Sequence, residues 1–239
     1  MMRNFSAKEA EFDERILKIA RAADAFENYK NAHATRIAAL SDALAQQFNL
    51  ASHDRYSLRQ AALLHDIGEA VMNREYIKAN RTLREDERVD AQRHTVIGEQ
   101  ETAKRGLSRA VQLLVRWHHE WWNGAGYPDA LERGQIPLAA RILRLADTFC
   151  AMTDDRPYRA AISQSEAKRY LTEWAGIEFD PKIVIAFLEL EVSSMSSVVR
   201  RPSPSLEEDL TPNQTNEPQR IKTGEFLYDG QRTTDDGLL

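Results

Sequence analysis

From about residue 7 to residue 190 the apolar residues recur at helical spacing, as in Ile37, Leu40, Leu44 and Phe48, and no sustained period-two alternation interrupts them. One period held over that length points to an all-α fold. Helices are expected near 8–22, 24–48, 55–72, 84–104, 108–122, 138–153, 164–175 and 181–190. Gly68 with Asn73, and then Gly106, read as stops, and NGAGYPDALERGQIP at 123–137 has to be loop because Gly and Pro crowd it. After residue 192 the composition turns to Ser, Pro, Thr and Asn with few large apolar groups, too little to repay the entropy of ordering. The expected organisation is a helical extension at 1–23, one helical domain at 24–192 and a mobile tail at 193–239.

With 239 residues, 42% of them hydrophobic, the chain can bury one sizeable core. A net charge of −5 argues against a protein that wraps nucleic acid on a broad basic surface. No stretch approaches the roughly 18 apolar residues of a membrane span, and MMRNFSAKEAEFDERIL lacks the basic-then-apolar order of a secretory signal, so a cytoplasmic location is expected. One cysteine, Cys150, rules out an internal disulfide framework and a Cys-rich zinc site. Any metal chemistry must therefore use His and carboxylate.

The run AALLHDIGEAV at 61–71 places Asp66 in what otherwise reads as buried helix. An ionised Asp taken out of water costs several kcal/mol unless something compensates it. Either neighbouring side chains bond to it, or it holds a cation. Of the six histidines, His33, His65, His94, His118 and His119 lie in or beside expected helices, and Asp147 sits in the apolar RILRLADTFCAM. One such His is ordinarily a core residue bonded to a carbonyl. Five of them with two stranded acids point instead to a cluster of divalent cations, since imidazole nitrogen and carboxylate oxygen are the donors that iron, manganese and zinc share. Adjacent residues on a helix diverge by about 100°, so His65-Asp66 and His118-His119 cannot simply chelate one ion from one face; each pair can border two ions, or bind one where the helix is close to the metal. Two ions about 3.5–4 Å apart can share a carboxylate, activate a bridging water and clamp a phosphate oxygen, which makes phosphoester hydrolysis the expected chemistry.

AALLHDIG at 61–68, RHTVIGE at 93–99, WHHEWWNGAGYPDAL at 117–131, IPLAARILRLADTFCAMTDDRPYR at 136–159 and GIEFDPKIVIAFL at 176–188 together resemble the HD superfamily of metal-dependent phosphohydrolases, and more narrowly its HD-GYP branch. The resemblance spans about residues 24–190. It implies an HD-type helical bundle that hydrolyses cyclic di-GMP to pGpG or GMP. It implies metal ligation by His33, His65, Asp66, His94, His118, His119 and Asp147, with Asp66 bridging. Two divalent transition-metal ions are implied, iron or manganese foremost, with zinc, nickel or magnesium compatible with the same donors. Gly126, Tyr127 and Pro128 match the loop that lies beside the site and is linked to contacts with diguanylate cyclase (GGDEF) domains. Arg156 and Arg159 match basic positions near substrate, where a guanidinium fork suits a phosphodiester. Their bland alternative is pairing with Asp154 and Asp155. Glu120 is read as a group that orients a ligand histidine. Trp117, Trp121 and Trp122 are read as core before guanine stackers. SHDRY at 52–56 holds a second His-Asp pair, but there Ser52 or Asp54 is expected to cap a helix, leaving His53 outside the site.

The chain departs from the pattern at Glu69, where the family usually has a Lys that contacts substrate phosphate. This carboxylate could weaken the pull on an anionic diester, face solvent, pair with an arginine or bind another cation. Tyr29 occupies the place of a Glu that accompanies a third metal in some members, so two ions are expected rather than three. Asn123 replaces a common Asp and is expected to change loop hydrogen bonds only. A catalytically weak protein that senses the nucleotide or a cyclase partner is a rival reading, as is hydrolysis of another nucleotide. The sequence leaves homodimer formation open.

Overall fold

The computed structural model describes residues 7–79, 81–155 and 160–198. Among them no strand forms; ten α-helices follow one another, α1 (Ala7–Phe26), α2 (His33–Gln47), α3 (Ser52–Leu64), α4 (Ile67–Met72), α5 (Glu85–Ala91), α6 (His94–Lys104), α7 (Arg109–Trp117), α8 (Leu138–Thr153), α9 (Gln164–Glu173) and α10 (Pro181–Val198). The all-α reading holds. Arg156, Arg159 and residues from 199 onward lie outside the described residues.

Helix α8 is the axis of the bundle. Ala140, Ile142, Leu143, Leu145, Ala146, Phe149, Cys150 and Met152 are all buried, and α2, α3, α7, α9 and α10 pack around it. Such all-round apolar character is what a central helix requires. Phe149 meets Phe187 of α10 edge-on at 4.7 Å. Helix α1 is no detached extension, because Ile16, Ala20 and Ala23 are buried and the helix packs on α2, α3 and α4. Ser163 starts α9 with a reciprocal cap, accepting from Glu166 N–H while Glu166 accepts from Ser163 N–H. No helix among the described residues is long and apolar enough to cross a membrane.

Four of the expected helices are broken or end early, each next to a histidine. The stretch 24–48 breaks at Asn28, whose φ is 63°, and resumes with His33. The stretch 55–72 breaks at His65-Asp66, 84–104 breaks before His94, and 108–122 ends at Trp117 just before His118. Apolar spacing on both sides of a break remains helical, so periodicity ran through them; the local preference of a functional turn was not visible in it.

Gly68 was read as a stop, yet it lies inside α4 for a packing reason. A Cβ there would stand 2.0 Å from the carbonyl oxygen of His94, so only glycine lets α4 cross the start of α6 this closely. Likewise Ser52 does not cap α3; it is the first helical residue, preceded by Ala51, which makes no side-chain cap. Residues 123–137 form the expected loop, which here begins five residues earlier because α7 ends at Trp117, and it holds a short 3-10 turn at Arg133–Gln135. Asn123 helps shape it, its Oδ1 accepting from Ala125 N–H at 3.0 Å.

Gly68→Ala is expected to lower unfolding stability by about 1–3 kcal/mol, the usual cost of overpacking. Gly134→Ala, where a Cβ meets nothing within 4 Å, should stay within about 0.5 kcal/mol in the same urea titration.

Candidate metal centre

The breaks place histidines at helix ends, where the last four carbonyls of a helix lack intrahelical donors. Three rings use those carbonyls. His65 Nδ1–H donates to Ala62 O at 3.0 Å at the end of α3, His94 Nδ1–H to Ala91 O at 2.8 Å at the end of α5, and His118 Nδ1–H to Val115 O at 2.7 Å at the end of α7. A carbonyl can only accept, so Nδ1 carries a proton in each ring and Nε2 is the nitrogen turned inward. His33 reaches the same state by another route, with Nδ1–H donating to Asp154 Oδ2 at 2.8 Å while Arg36 holds the other Asp154 oxygen.

These rings meet two carboxylates. Asp66 Oδ1 lies 3.4 Å from His94 Nε2 and 3.5 Å from His118 Nε2, and those two nitrogens are 3.4 Å apart. Its other oxygen, Oδ2, lies 2.9 Å from His65 Nε2. Asp147 Oδ1 stands 3.7 Å from both His33 Nε2 and His65 Nε2. Donors about 2.1 Å from one ion at tetrahedral angles are about 3.4 Å from each other, so the spacing suits a cation inside each group. Asp66, His94, His118 and His119 form one group with donor atoms within 4.8 Å of one another, and His33, His65 and Asp147 form a second. All seven residues are more than nine-tenths buried. His33 Nε2, His65 Nε2 and Asp66 Oδ1 make no well-formed hydrogen bond, and such buried polar atoms turned toward one another fit a metal site.

Burial disfavours charge on His65, but Asp66, with Asp147 and Glu27 behind it, overrides this and lifts its pKa to about 10. Burial likewise works against Asp66, which His65, His118 and His94 nonetheless hold well below the usual carboxylate range. Burial drives His94 down to about 4 against the pull of Asp66. Without a cation, the two acids therefore recruit one proton onto His65.

Glu69 is buried and does not face solvent. With Glu27 and Asp66 it forms a third group whose oxygens lie within 4.8 Å of one another. Tyr29 stacks on His33 at 3.8 Å and 9°, and Glu27, which the spacing argument passed over, is the further carboxylate in the group of Asp66 and Glu69. Glu120 does not orient a ligand histidine. Its two oxygens accept from Asp129 N–H at 2.7 Å and Leu131 N–H at 2.9 Å, so it staples the 123–137 loop to the end of α7. Asp129 adds bonds to Arg116 and Trp117. Gly126 is pressed against the backbone, where a Cβ would stand 2.2 Å from Trp121 N, and Tyr127 stacks on His119 at 4.9 Å. The Tyr127 hydroxyl is buried and makes no hydrogen bond. Pro128 follows in the same turn. Trp121 packs edge-on against Trp174 and Trp122 lies under Arg141, both structural uses. His53 is 78% exposed and stands apart.

Sequence reasoning missed Asp154, Arg144 and Glu178. Arg144 is buried in α8, bonded to Glu178 and to His119 Nδ1. A guanidinium amid RILRLADTFCAM was as anomalous as Asp147 and carried the same signal.

A family model described as HD domain matches residues 19–183. The chain belongs to the HD domain family. Its HD-GYP character, read from the motifs, agrees with its relatives. The chain is 34% identical over 178 residues to the cyclic di-GMP phosphodiesterase response regulator RpfG of Xanthomonas campestris pv. campestris, covering 73% of this chain and 47% of that one. It is 29% identical over 178 residues to 3'3'-cGAMP-specific phosphodiesterase 2 of Vibrio cholerae, covering 74% of this chain and 34% of that one. This HD domain protein thus spans less than half the length of these relatives. Its fold is shared with the V. cholerae cyclic GMP-AMP phosphodiesterase V-cGAP3, at TM-score 0.60, 20% identity and coverage of 78% and 51% of the two chains. It is also shared with the HD domain of L. monocytogenes PgpH bound to cyclic-di-AMP, at TM-score 0.51, 12% identity and coverage of 80% and 100%.

Because a cation must displace the His65 proton, uptake of manganese should release protons below about pH 10, where His65 still carries one. Apparent affinity should accordingly rise with pH up to that value, by about tenfold per pH unit for each proton released. Calorimetric titration in buffers of different ionisation enthalpy measures the proton count directly.

Proposed function

We propose that the protein is a metal-dependent phosphodiesterase that opens cyclic di-GMP to pGpG, GMP or both at a two-cation centre. The observation that carries this reading is Asp66, which turns one oxygen to His94 and His118 and the other to His65. A carboxylate shared in this way fits two ions side by side. One ion would be held by His33, His65, Asp147 and Asp66, and the other by Asp66, His94 and His118, with His119 as the fourth member of that group. Iron or manganese suits the donors best. Bound there, the ions would supply activated water and neutralise charge on a phosphodiester.

The chain's own groups do the rest. The helix-end carbonyls and Asp154 keep four rings aimed, so little reorganisation accompanies reaction. Tyr127, packed on His119 and edge-on to His94, forms one wall, and its buried hydroxyl makes no hydrogen bond. Gly126 and Pro128 set that wall's position. Arg156 and Arg159 are assigned to the substrate's phosphates, as the motif implies. The loop stapled by Glu120 offers the surface for a GGDEF-domain partner. Relatives named for cyclic di-GMP and for 3'3'-cGAMP support a cyclic dinucleotide as substrate class.

One observation favours slow turnover. Glu27 and Glu69 stand beside Asp66, and with Asp147 four ionised carboxylates would cancel the charge of two divalent ions. The field drawing in an anionic diester is weakened accordingly. Under this reading the protein binds the nucleotide or its partner and turns over slowly.

Protein loaded with manganese or iron under reducing conditions should convert cyclic di-GMP to linear product, measured by chromatography beside 3'3'-cGAMP and cyclic di-AMP. Binding without product removes the enzyme reading. Asp66→Ala should abolish turnover. Glu69→Gln, which removes charge and keeps shape, should raise kcat/KM by about tenfold, the worth of one nearby charge in a partly screened site.

A further inference from the structure

Asp129 is a part-exposed acid in the loop after α7, and a surface acid of that kind ordinarily gains little from its ion pairs. Here its carboxylate accepts three hydrogen bonds. Arg116 Nε donates to Oδ2 and Arg116 Nη2 to Oδ1, each at 2.6 Å, and Trp117 Nε1–H donates to Oδ2 at 2.7 Å. The two-pronged guanidinium fork fixes direction as well as distance. Arg116 is braced from its other side, where Nη1 donates to Glu99 Oε2 at 2.8 Å while Arg109 Nη1 holds Glu99 Oε1 at 2.7 Å. Charged side chains therefore run without a gap from α6 through α7 to the loop, and such a network counts for more than an isolated surface pair.

Both residues that donate to Asp129 stand at the end of α7, immediately before His118 and His119. The loop is thereby tied to the helix end from which those two rings emerge. Ala130 comes next, with φ at 53°, the left-handed region in which a Cβ is strained. It is held on both sides, since Asp129 N–H and Leu131 N–H donate to the two oxygens of Glu120. The Asp129 side chain gives that turn a second anchor. Only Pro128 separates Asp129 from Tyr127, whose N–H donates to His119 O at 3.2 Å and whose ring stacks on His119.

We infer that Arg116 and Asp129 are positioning residues for substrate: their ion pair, braced by Glu99, holds residues 127–131 in a strained turn and so keeps Tyr127 against His119 before any ligand arrives. This rests on the reading of Tyr127 as a wall of the cyclic dinucleotide site. Asp129 belongs to none of the metal-ligand groups among the described residues, so the clamp bears on binding of substrate and leaves the cations alone. A loop that is binding-competent for only part of the time lowers apparent affinity by that fraction. The clamp therefore acts on KM, and kcat at saturation is indifferent to it.

Amide exchange in the full chain reads the clamp without reference to catalysis. Asp129→Asn keeps the side-chain shape and removes the charge, and Arg116→Met removes the fork. Each should speed exchange of the Asp129 and Leu131 amides by about tenfold or more, the ordinary worth of a hydrogen bond to a charged group, while amides inside α8 keep their rates. Arg116→Lys, which keeps the charge and loses the fork, should fall between native and Arg116→Met. Unchanged exchange at 129 and 131 in both variants overturns the inference whatever the enzyme does, as does a rise that α8 shares equally. In manganese-loaded protein, Asp129→Asn should raise KM for cyclic di-GMP by about tenfold with kcat and manganese affinity within about twofold. A fall in kcat at unchanged KM overturns the inference and leaves the phosphodiesterase reading standing. No product from the native protein removes that reading, and the exchange rates still decide whether the clamp holds the turn.

Discussion

The bond between a helix-terminal carbonyl and a histidine Nδ1–H is the constraint from which the rest of the centre follows. Three helices, α3, α5 and α7, stop with carbonyls in need of a donor, and a histidine supplies it each time. That single bond ends the helix, fixes the tautomer and aims Nε2 at Asp66. Local folding and ligand preparation are thus one event. Three independent elements converge only because α4 can cross α6 at Gly68, bringing Asp66 and His94 together. The energetic cost of a bare buried carboxylate is met inside the same cluster, by a proton on His65 when no cation is bound.

The all-α class and the inner donor set were legible because each depends on residue type alone. An apolar period declares helix, and Asp66, Asp147 and five histidines are conspicuous in apolar surroundings whatever their neighbours turn out to be. Breaks in the helices were not legible. A turn between two helices that keep the same apolar face leaves no mark in periodicity, and Gly68, which reads as punctuation, marks a crossing. Outer partners were harder still. Asp154 looked like a surface acid beside Arg156, and nothing local says that it meets His33 across 121 residues. Glu120 was misjudged because adjacency to His119 in sequence says little about direction: the chain turns after His118 and sends that carboxylate to the loop.

Helix α8 joins these layers. It buries apolar side chains on nearly its whole circumference, yet carries Asp147 and Arg144 one turn apart. Asp147 faces His33 and His65, and Arg144 turns to Glu178 and His119. An acid and a base on one buried helix partly offset each other, and the remaining charge on each is taken up by a different partner. Rigid placement is the result, since neither side chain can leave without stranding a charge.

Polarity of the outer partner is what separates the five rings. A carbonyl or carboxylate behind Nδ1 pushes electron density toward Nε2 and makes a better ligand. A guanidinium behind Nδ1 does the reverse and draws density away from the ring. The tandem His118-His119 pair thus joins two rings of opposite character, one backed by Val115 O and the other by Arg144. Adjacent residues that diverge at a helix end can have such different partners because those partners lie on different elements, the first on α7 itself and the second on α8. Composition shows two equal histidines; only the element behind each ring tells them apart.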